Sequence, residues 1–533
     1  MSKTNFLEKI IDKDIKNGLP KKNLSFRFPP EPNGFLHLGH VKSIYLNYSL
    51  ARKYKCPFIL RFDDTNPINE ETKFIKAIKK DINWLGFKWC KETYASDYFV
   101  ELYKLAKKLI LQGKAFVDSQ TKKKIKEQRR SSYEDGIESP YRKRSIYDNL
   151  ELFKKMKNGC FKEGECVLRA KIDMNSPNIN LRDPIMYRII KKKHYKTGKK
   201  WFIYPTYDWA HGQNDYLEKI SHSLCTLEFQ HNKPLYNWFL SKIKSYGHIL
   251  PKQYEFSRLN LNYSIMSKTK MKVLIEKQIV DNWDDPRLPT ISGLRRRGFT
   301  PDAICNFIKE IGISKRENNI DIYLLEFYLK KNLAKIAEQV MVVFNPLTLK
   351  IENLNETKWL RFKDRNIPFS KEIYIESKDF IENKKDKFWR LSIGQKVRLK
   401  SAFTIKAKSI IKKKNGSIKY ILCKIYKDKS KYKATLHWVA KKYSLPIKIN
   451  LYGKLFNIKC PEKIKNFTDY INKKSRIQVN AFAEQFLRNA NSKTKYQFLR
   501  NGYFCLDNKS TNKNNSKLVF NKIISFKQKR FNI

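Results

Sequence analysis

Two histidines, His37 and His40, end a loop rich in proline and glycine, RFPPEPNGFLHLGHVKS, at residues 27–43. Alternating apolar residues before this loop predict a buried strand, and the helical spacing of apolar residues after it predicts a helix. The prolines stiffen the loop, an Asn-Gly pair favours a turn, and Gly39 leaves room for a ligand between the histidines. Because a helix N-terminus attracts anions, this stretch predicts a site for a phosphate or a flat base. The alternative is a proline-rich strand end that carries two surface histidines.

A second predicted strand, FILRF at residues 58–62, ends in two aspartates, Asp63 and Asp64. Ligands of open α/β sheets bind at the carboxyl ends of the strands. We therefore expect Asp63 to lie beside the first loop, where its carboxylate could pair with a fixed cation. Asp64 is interpreted as a cap of its own turn.

Composition indicates a large basic protein of several domains. The chain has 533 residues, 41% of them hydrophobic, and 111 Lys and Arg against 51 Asp and Glu, for a net charge of +60. A polyanionic partner is the expectation, although Lys, Ile and Asn are abundant throughout and part of the excess is compositional. Nine scattered cysteines without a C-x-x-C pair, and dispersed histidines, favour reduced thiols and no structural metal.

The N-terminal stretch MSKTNFLEKIIDKDIKNG mixes acidic and basic residues along an amphipathic pattern. It does not resemble a signal or transit peptide. No apolar run approaches the roughly twenty residues that span a bilayer. We expect a soluble, cytoplasmic protein.

The remaining pattern predicts a multidomain α/β plus β protein. Residues 100–200 are irregular and basic, with an extended loop at 122–145, and are interpreted as an insertion that divides a doubly wound fold. Helices are predicted for 283–333, with a Thr300 cap and a stop at Gly312. From about 340 the apolar period becomes two: alternation over 397–407 and a strand returning after Asn415-Gly416 predict a hairpin and β-barrels.

Two sequence signatures, HLGH at 37–40 and IMSKT at 265–269, carry a resemblance to a known family. Together with RFPPEPNG, RFDDTNP, HSLCTLEFQ, WDDPRLPTISGLRRRG and GYFCLD, they resemble the class I aminoacyl-tRNA synthetases, in the glutamyl and glutaminyl subfamily. The resemblance covers nearly the whole chain. It implies a Rossmann-type doubly wound catalytic domain, an acceptor-binding insertion, a helical subdomain and two C-terminal anticodon-binding β-barrels. The implied limits are 1–100 and 201–260 for the catalytic domain, 101–200 for the insertion, 261–337 for the helical subdomain, 338–382 with 456–533 for the proximal barrel, and 383–455 for the distal barrel.

The resemblance also implies the chemistry: an amino acid is activated with ATP and transferred to the 3'-terminal adenosine of a tRNA. His37, His40 and Lys268 are the implied catalytic residues, with Mg²⁺ on the ATP phosphates. Positioning and positive charge dominate such phosphoryl chemistry. The implied ATP-binding residues are Glu31, Pro32, Asn33, His37, Leu38, Gly39, His40, Val41, Lys42, Ser43, Thr226, Arg258, Leu259, Met266, Ser267 and Lys268.

The amino-acid pocket implied by the resemblance separates glutamine from glutamate. Its residues are Arg27, Asp63, Tyr207, His211, Cys225 and Gln253, with Asp63 on the α-ammonium and Tyr207 on the side-chain amide. Related glutamyl enzymes typically carry Arg where this chain has Cys225, and that Arg would pair with a γ-carboxylate. The neutral Cys225 favours glutamine, although Arg27 remains a nearby cation. A glutamate-specific or non-discriminating enzyme is the alternative.

The tRNA contacts implied by the resemblance lie in the last two thirds of the chain. Arg390, Arg398, Gln497 and Arg500 match anticodon-binding positions, and Lys315 and Arg316 suit backbone phosphates. The chain departs from the family pattern at His231, Gln339 and Ser132. The expected partner is tRNA(Gln), bound by a monomer. A catalytically inactive RNA-binding protein is the alternative from another class, and the intact HLGH and MSK signatures argue against it.

Overall fold

The computed structural model describes residues 5–244, 249–383, 389–426, 432, 434–509 and 518–526. They form two compact units. Of the described residues, the first unit takes those up to 261 together with 266–269 and 305–320, and the second takes 262–265, 270–304 and those from 321 onward. In the described part of the chain, no helix is both long and apolar enough to cross a membrane.

The N-terminal half alternates helices and strands. The helices are α1 (Phe6–Lys16), α2 (Leu38–Tyr54), α3 (Thr72–Trp84), α4 (Phe99–Leu111), α5 (Lys122–Arg129), α6 (Ile146–Lys157), α7 (Tyr207–Leu217) and α8 (Lys233–Ile243). The strands are β1 (Phe26–Phe28), β2 (Phe58–Phe62), β3 (Lys91–Tyr94), β4 (Ala115–Asp118), β5 (Val167–Ala170), β6 (Ile185–Ile189), β7 (Ile203–Pro205), β8 (His222–Thr226), β9 (Lys252–Phe256) and β10 (Asn260–Leu261).

Parallel strands form the centre of the first unit. Strands β1, β2 and β3 lie side by side, and β8 pairs with β9. The backbone N–H of Ser221 donates to the carbonyl of Ser25 at 3.2 Å, which places β8 beside β1. The parallel order is therefore β3, β2, β1, β8, β9, and the chain reverses direction of winding at β1, as in a doubly wound Rossmann-type fold.

The insertion between β3 and α7 builds its own antiparallel sheet in the order β4, β5, β6, β7. Its core packs aromatic side chains such as Phe153, Tyr187 and Trp201 against helices α4, α6 and α8. A buried ion pair, Arg169 with Asp118 at 2.7 Å, ties β5 to β4. The predicted insertion is thus a folded layer that interrupts the parallel strands.

The C-terminal half begins with helices and continues as strands. The helices are α9 (Lys268–Glu276), α10 (Ile291–Arg297), α11 (Pro301–Ile311) and α12 (Ile322–Ile336). The strands are β11 (Asn319–Ile320), β12 (Glu338–Val340), β13 (Val342–Val343), β14 (Pro346–Ile351), β15 (Lys358–Phe362), β16 (Arg365–Phe369), β17 (Glu372–Glu376), β18 (Lys396–Leu399), β19 (Thr404–Lys412), β20 (Ile418–Tyr426), β21 (Thr435–Leu436), β22 (Val439–Ala440), β23 (Leu445–Tyr452), β24 (Arg476–Ala483), β25 (Tyr496–Phe498), β26 (Gly502–Leu506) and β27 (Val519–Ile524).

Two sheets of the second unit wrap around into barrels. One has the order β12, β25, β26, β27, β23, β24, β13, and its two edge strands are separated in the chain only by Met341. The other has the order β21, β18, β19, β20, β14, β17, β22, and its edges are separated only by His437 and Trp438. Because neighbouring residues supply both edges, each sheet must curl back on itself.

Several local predictions need correction. The loop predicted for 122–145 begins instead with helix α5, which Thr121 caps through its side chain. The alternation over 397–407 is two antiparallel strands, β18 and β19, because Ser401 adopts a positive φ of 54° and turns the chain. Asp64 does not cap its own turn: it accepts hydrogen bonds from Ser96 and from the Tyr195 hydroxyl, at 2.7 to 2.8 Å. The predicted hairpin at Asn415-Gly416 and the helix from Thr300 to Gly312 are confirmed.

Candidate active site

Helix α2 begins with two histidines that hydrogen-bond the backbone. His37 Nδ1 accepts from the Gly39 N–H, and His40 Nδ1 accepts from the His37 N–H, both at 3.1 Å. Since each Nδ1 is an acceptor, each neutral ring carries its proton on Nε2. Burial lowers the pKa of His37 to about 3 with help from the Lys268 charge, and it also lowers the pKa of His40. The helix start thus offers neutral N–H donors to an anion.

The structure gives a reason for glycine at position 39 that the sequence did not reveal. A Cβ at this position would lie 2.9 Å from Cε1 of His37, because that ring folds back over the first helical turn. Any side chain at 39 therefore displaces the His37 ring from its hydrogen bond.

The proline-rich loop is held at the edge of the sheet. The Pro30 carbonyl accepts from the Asp63 N–H, and the Pro32 carbonyl accepts from the Glu71 N–H, both at 3.1 Å. Asn33 donates its side-chain amide to Glu31 at 2.6 Å. These bonds fix the segment between the β1 end and the two histidines.

Lys268, in the second signature IMSKT, contacts the proline-rich loop. Its Nζ donates to Oδ1 of Asn33 at 2.7 Å, and its stem lies against Gly34, where a Cβ would be 3.1 Å away. Burial lowers the pKa of Lys268 to about 8, and the Glu31 carboxylate opposes that shift. The two signatures, more than 200 residues apart in sequence, therefore meet as a cation beside a helix N-terminus.

The other predicted ATP residues fall into groups. Lys42 is buried and donates to the carbonyl and hydroxyl of Ser257 at 2.6 and 3.1 Å, and burial lowers its pKa to about 8. Arg258 is exposed and pairs with Glu228 at 2.7 Å. Pro32, Leu38, Val41 and Leu259 are buried, whereas Ser43, Thr226, Met266 and Ser267 are half-buried. Their contacts with ATP stay predictions.

A buried ionic network lies behind the sheet edge. Arg27 donates from Nε to Asp215 at 2.9 Å, and Arg61 donates to Asp63, Asp215 and Glu218 at 2.8 to 3.0 Å. All five side chains are at most 3% exposed. Burial alone would raise the pKa of Asp215, but the Arg27 guanidinium outweighs it and holds that pKa below its usual range. The charge of Arg27 is therefore offset within the protein.

His211 connects this network to Asp63. Its Nε2 lies 2.8 Å from Nη2 of Arg27, and Nη2 of Arg61 lies 3.3 Å from its Nδ1. That nitrogen lies 3.4 Å from Oδ2 of Asp63, whose other oxygen is bound by Arg61. Asp63 is thus fixed as a carboxylate at the strand end, and the Arg61 charge lowers its pKa against the effect of burial.

A cavity adjoins these groups and collects four of the predicted glutamine residues. It comprises about 310 Å³ of space, open solvent included, and is lined by Tyr207, Asp208, His211, Cys225, Phe229, Asn232, Leu235, Tyr236 and Gln253. Burial raises the pKa of the Cys225 thiol to about 12, so this wall is neutral. Tyr207 stacks on His211 at 4.8 Å, and within the described residues only burial and nearby charges, and no hydrogen bond, act on its hydroxyl. The cavity thus offers the Tyr207 hydroxyl to a ligand, and no Lys or Arg side chain is among its lining residues in the described part of the chain.

Sequence reasoning missed Arg61, Asp215, Glu218 and Tyr236. The Tyr236 hydroxyl donates to Asp215 at 3.0 Å. An arginine within the otherwise apolar strand FILRF was the available signal, because a buried guanidinium needs carboxylate partners. The sequence does not tell which distant acid supplies them.

The predicted anticodon residues lie in the second unit. Arg390 and Arg500 both bind the buried Asp379, at 3.1 Å and at 2.5 and 2.7 Å. Gln497 lies 3.4 Å from the amide of Gln339, and Arg398 donates to Thr404 at 3.4 Å. Arg390 and Arg500 thus share one carboxylate, that of Asp379, and Gln497 is a hydrogen-bond partner of Gln339.

The remaining predicted tRNA positions are exposed residues of the first unit. Lys315 lies 5.2 Å from the Phe6 ring, and Arg316, Ser132 and His231 are exposed. All tRNA contacts stay predictions.

Comparison with known proteins matches this architecture. Residues 23–335 match the model of the catalytic domain of tRNA synthetases class I (E and Q), and residues 337–426 and 435–507 match models of the anticodon-binding domain of the same family. The chain is 45% identical to a glutamine–tRNA ligase of Clostridium kluyveri, covering 98% of this chain and 97% of the relative. It is 48% identical to one of Buchnera aphidicola subsp. Schizaphis graminum and 45% identical to one of Vibrio cholerae, each over 98% of this chain and 97% of the relative. The chain therefore belongs to the class I tRNA synthetases of the E and Q family.

Proposed function

We propose that this protein is a glutamine–tRNA ligase, which activates glutamine with ATP and transfers it to the 3'-terminal adenosine of tRNA(Gln). The observation that carries the proposal is the neutral cavity at Cys225, beside an Arg27 whose charge Asp215 offsets. Relatives named glutamine–tRNA ligase, 45 to 48% identical over nearly the whole chain, support it.

In the first step, an oxygen of the glutamine carboxylate attacks the α-phosphorus of ATP, and the bond to the β,γ-diphosphate breaks. The products are glutaminyl adenylate and pyrophosphate. ATP enters as its magnesium complex. The helix α2 start and the Nε2–H groups of His37 and His40 suit the triphosphate, and the Lys268 ammonium suits the charge that builds up on the leaving pyrophosphate.

In the second step, a ribose hydroxyl of the tRNA attacks the carbonyl carbon of the adenylate, and AMP leaves. Asp63 holds the α-ammonium of the amino acid through both steps. Because Arg61 and His211 orient the two oxygens of Asp63, the substrate carbonyl stays in place while the leaving group departs.

Glutamine rather than glutamate follows from charge balance. A γ-carboxylate in the cavity would need a cation that is not already paired with a carboxylate. Arg27 does not meet this need, because it donates to Asp215, Ser223 and the Leu224 carbonyl. An amide finds a hydrogen-bonding group in the Tyr207 hydroxyl at no electrostatic cost. A carboxylate without a cation would lose several kcal/mol, on the order of the cost of a buried unpaired charge.

Other parts of the proposal follow from the reaction. Such an enzyme serves translation, so we expect it in the cytoplasm, and we expect a monomer in complex with one tRNA. The competing functions are a glutamate-specific or non-discriminating ligase. The intact pair of Lys268 and the α2 start argues against a protein that binds RNA without catalysis.

The test is charging of purified tRNA(Gln) with radiolabelled glutamine and glutamate, with ATP and Mg²⁺. We expect charging with glutamine and at least about a hundred-fold lower kcat/KM with glutamate. The Lys268→Ala variant, purified in the same way, is the control for contaminating ligase activity. Equal use of both amino acids would replace the proposal with a non-discriminating enzyme, and binding of tRNA without charging would leave an RNA-binding protein.

A further inference from the structure

The connection between strands β6 and β7 of the insertion reaches the end of strand β2 in the parallel sheet. Its tip is a hairpin, closed by two backbone hydrogen bonds between His194 and Gly198 at 2.9 and 3.0 Å. We call residues 190–198 the insertion hairpin. Two of its side chains, those of His194 and Tyr195, both bind Asp64, the residue that directly follows Asp63.

Tyr195 binds the side chain of Asp64. Its hydroxyl donates to Oδ2 of Asp64 at 2.7 Å, and the same carboxylate accepts from the backbone N–H and the hydroxyl of Ser96 at 2.8 and 2.7 Å. The Asp64 side chain is fully buried, which raises its pKa to about 7, and the hydrogen bonds from Ser96 and Tyr195 oppose that rise. Loss of the Tyr195 donor would therefore leave a buried carboxylate with too few partners.

His194 binds the backbone of Asp64. Its Nδ1 accepts from the backbone N–H groups of Lys196 and Thr197, both at 3.2 Å, so the neutral ring carries its proton on Nε2. That nitrogen donates to the Asp64 carbonyl at 3.1 Å. The His194 side chain is fully buried, and burial lowers its pKa, which favours the neutral ring. The insertion hairpin thus holds residue 64 by its side chain and by its backbone.

Asp63 is the central residue of a tight turn at the end of β2. The Asp64 N–H donates to the Phe62 carbonyl at 3.0 Å, and a hydrogen bond between residues two positions apart defines a γ-turn. The direction of the Asp63 side chain therefore depends on what holds the two sides of this turn. Strand β2 holds Phe62, whereas the insertion hairpin and Ser96 hold Asp64.

The insertion hairpin also makes contacts that are exposed to solvent. Lys192 Nζ donates to the Ile68 carbonyl at 2.9 Å, and Lys196 pairs with Asp97, with both side chains more than a third exposed. Exposed ion pairs add little to stability. The two buried side-chain contacts of the hairpin both meet at Asp64, which indicates that they fix the geometry of this one residue.

We propose that His194 and Tyr195 are positioning residues for the α-ammonium group of the amino acid. They orient the Asp63 carboxylate through Asp64 and do not contact the substrate themselves. This inference rests on the proposed function, because it takes Asp63 as the group that binds the ammonium. An element of the insertion, outside the parallel sheet, then completes the amino-acid site.

The test is pyrophosphate exchange by full-length Tyr195→Phe, which removes one hydroxyl and keeps the ring. With tRNA(Gln) saturating, we expect the KM for glutamine to rise about ten-fold and the KM for ATP to stay within about two-fold of the wild type. Tyr54→Phe is the matched control, because the Tyr54 hydroxyl donates to Asp12 at the same 2.7 Å elsewhere in the first unit. It should lose a similar amount of thermal stability and keep both KM values.

A second measurement tests whether the effect passes through Asp63. Glutaminol keeps the α-ammonium group and lacks the carboxylate, whereas glutaramic acid lacks the ammonium. We expect Tyr195→Phe to raise the inhibition constant of glutaminol about ten-fold and to leave that of glutaramic acid unchanged. Equal weakening of both inhibitors, or an equal rise in the KM values for glutamine and ATP, would overturn the proposal.

Ser96→Ala provides a second variant at the same carboxylate, since it removes the other hydroxyl donor to Asp64. It should reproduce the pattern of Tyr195→Phe. A wild-type KM for glutamine in both variants would refute the positioning role, while glutamine charging by the wild type upholds the proposed function. A wild-type protein that does not charge glutamine would refute the proposed function itself.

Discussion

Protonation decides what the active-site side chains can do. The hydrogen bonds at Nδ1 keep His37 and His40 neutral at physiological pH, and burial acts in the same direction. We therefore expect them to meet ATP as neutral hydrogen-bond donors and not as cations. Lys268 is a titratable cation beside them, and burial lowers its pKa to about 8.

Lys268→Ala should slow adenylate formation by orders of magnitude, because it removes the cation beside the α2 start that we propose to stabilise the leaving pyrophosphate. In the wild type, a lowered pKa means that Lys268 loses its proton as pH rises through about 8. We expect kcat/KM for ATP in pyrophosphate exchange to fall over that range. Glutamine and tRNA are kept saturating.

The control is Lys268→Arg, which retains a cation at every accessible pH. Its profile should be flat where that of the wild type falls, at a lower absolute rate. A wild-type profile that stays flat above pH 8, or full activity in Lys268→Ala, would contradict this assignment.

Cys225→Arg should lower kcat/KM for glutamine and raise the relative use of glutamate. A guanidinium offers only donors, so it pairs with a carboxylate but leaves N–H groups unmatched by an amide. The preference should shift by roughly 2–4 kcal/mol, about two to three orders of magnitude in the ratio. Charging of tRNA with both amino acids measures it.

Cys225→Ser is the matched control, because it keeps a small neutral group at the same wall. Its preference should stay with glutamine. An unchanged ratio in Cys225→Arg would show that this position does not sense the side chain, and the choice would then depend on Tyr207.

At the scale of elements, the start of helix α2 depends on a residue without a side chain. Gly39→Ala should place a methyl group 2.9 Å from the His37 ring and force that ring away from the Gly39 N–H. We expect adenylate formation to fall at least about ten-fold, with little change in the thermal unfolding midpoint, since the helix gains an alanine. Pyrophosphate exchange and calorimetry on the same sample measure both.

Gly86→Ala serves as a comparison for the loss of a glycine elsewhere in the first unit, although its positive φ of 85° predicts a cost in stability. The two variants should therefore separate: one loses rate and the other loses stability. Wild-type exchange in Gly39→Ala would mean that the His37 ring is not needed in its observed position.

Much of the local structure could be predicted from sequence, because short-range patterns determine it. The strand FILRF, the α2 start and the Asn415-Gly416 hairpin each depend on neighbouring residues. The turn at Ser401 could not, since alternation continues through it while a positive φ reverses the chain. The distant partners of Arg61 were equally hidden: Asp215 lies 154 positions away and Glu218 lies 157 positions away, and only the fold brings them to Arg61.

At the scale of the whole molecule, the net charge of +60 suits an RNA partner that contacts both units. The charge alone gives no specificity, because phosphates are the same in every tRNA. We expect specificity to come from side chains that are held in place, such as Arg390 and Arg500, which both pair with Asp379.

Arg390→Ala should weaken discrimination among anticodons and leave charging of a minimal acceptor-stem RNA nearly unchanged. The fold should tolerate this change, because Asp379 keeps its two hydrogen bonds from Arg500. We expect a loss of about ten-fold or more in kcat/KM for full-length tRNA(Gln). Equal losses on both RNAs would make Arg390 a structural residue.

The first unit is not continuous in the chain, since residues 305–320 join it only after residues 270–304 of the second. Strand β11 of that late segment pairs with β10, about sixty positions earlier. A ribosome adding about 5–20 residues per second needs roughly 3 to 10 s to go from position 268 to position 320. During synthesis, the parallel sheet and Lys268 emerge well before their unit can close, and the nascent active-site half must remain soluble through that interval.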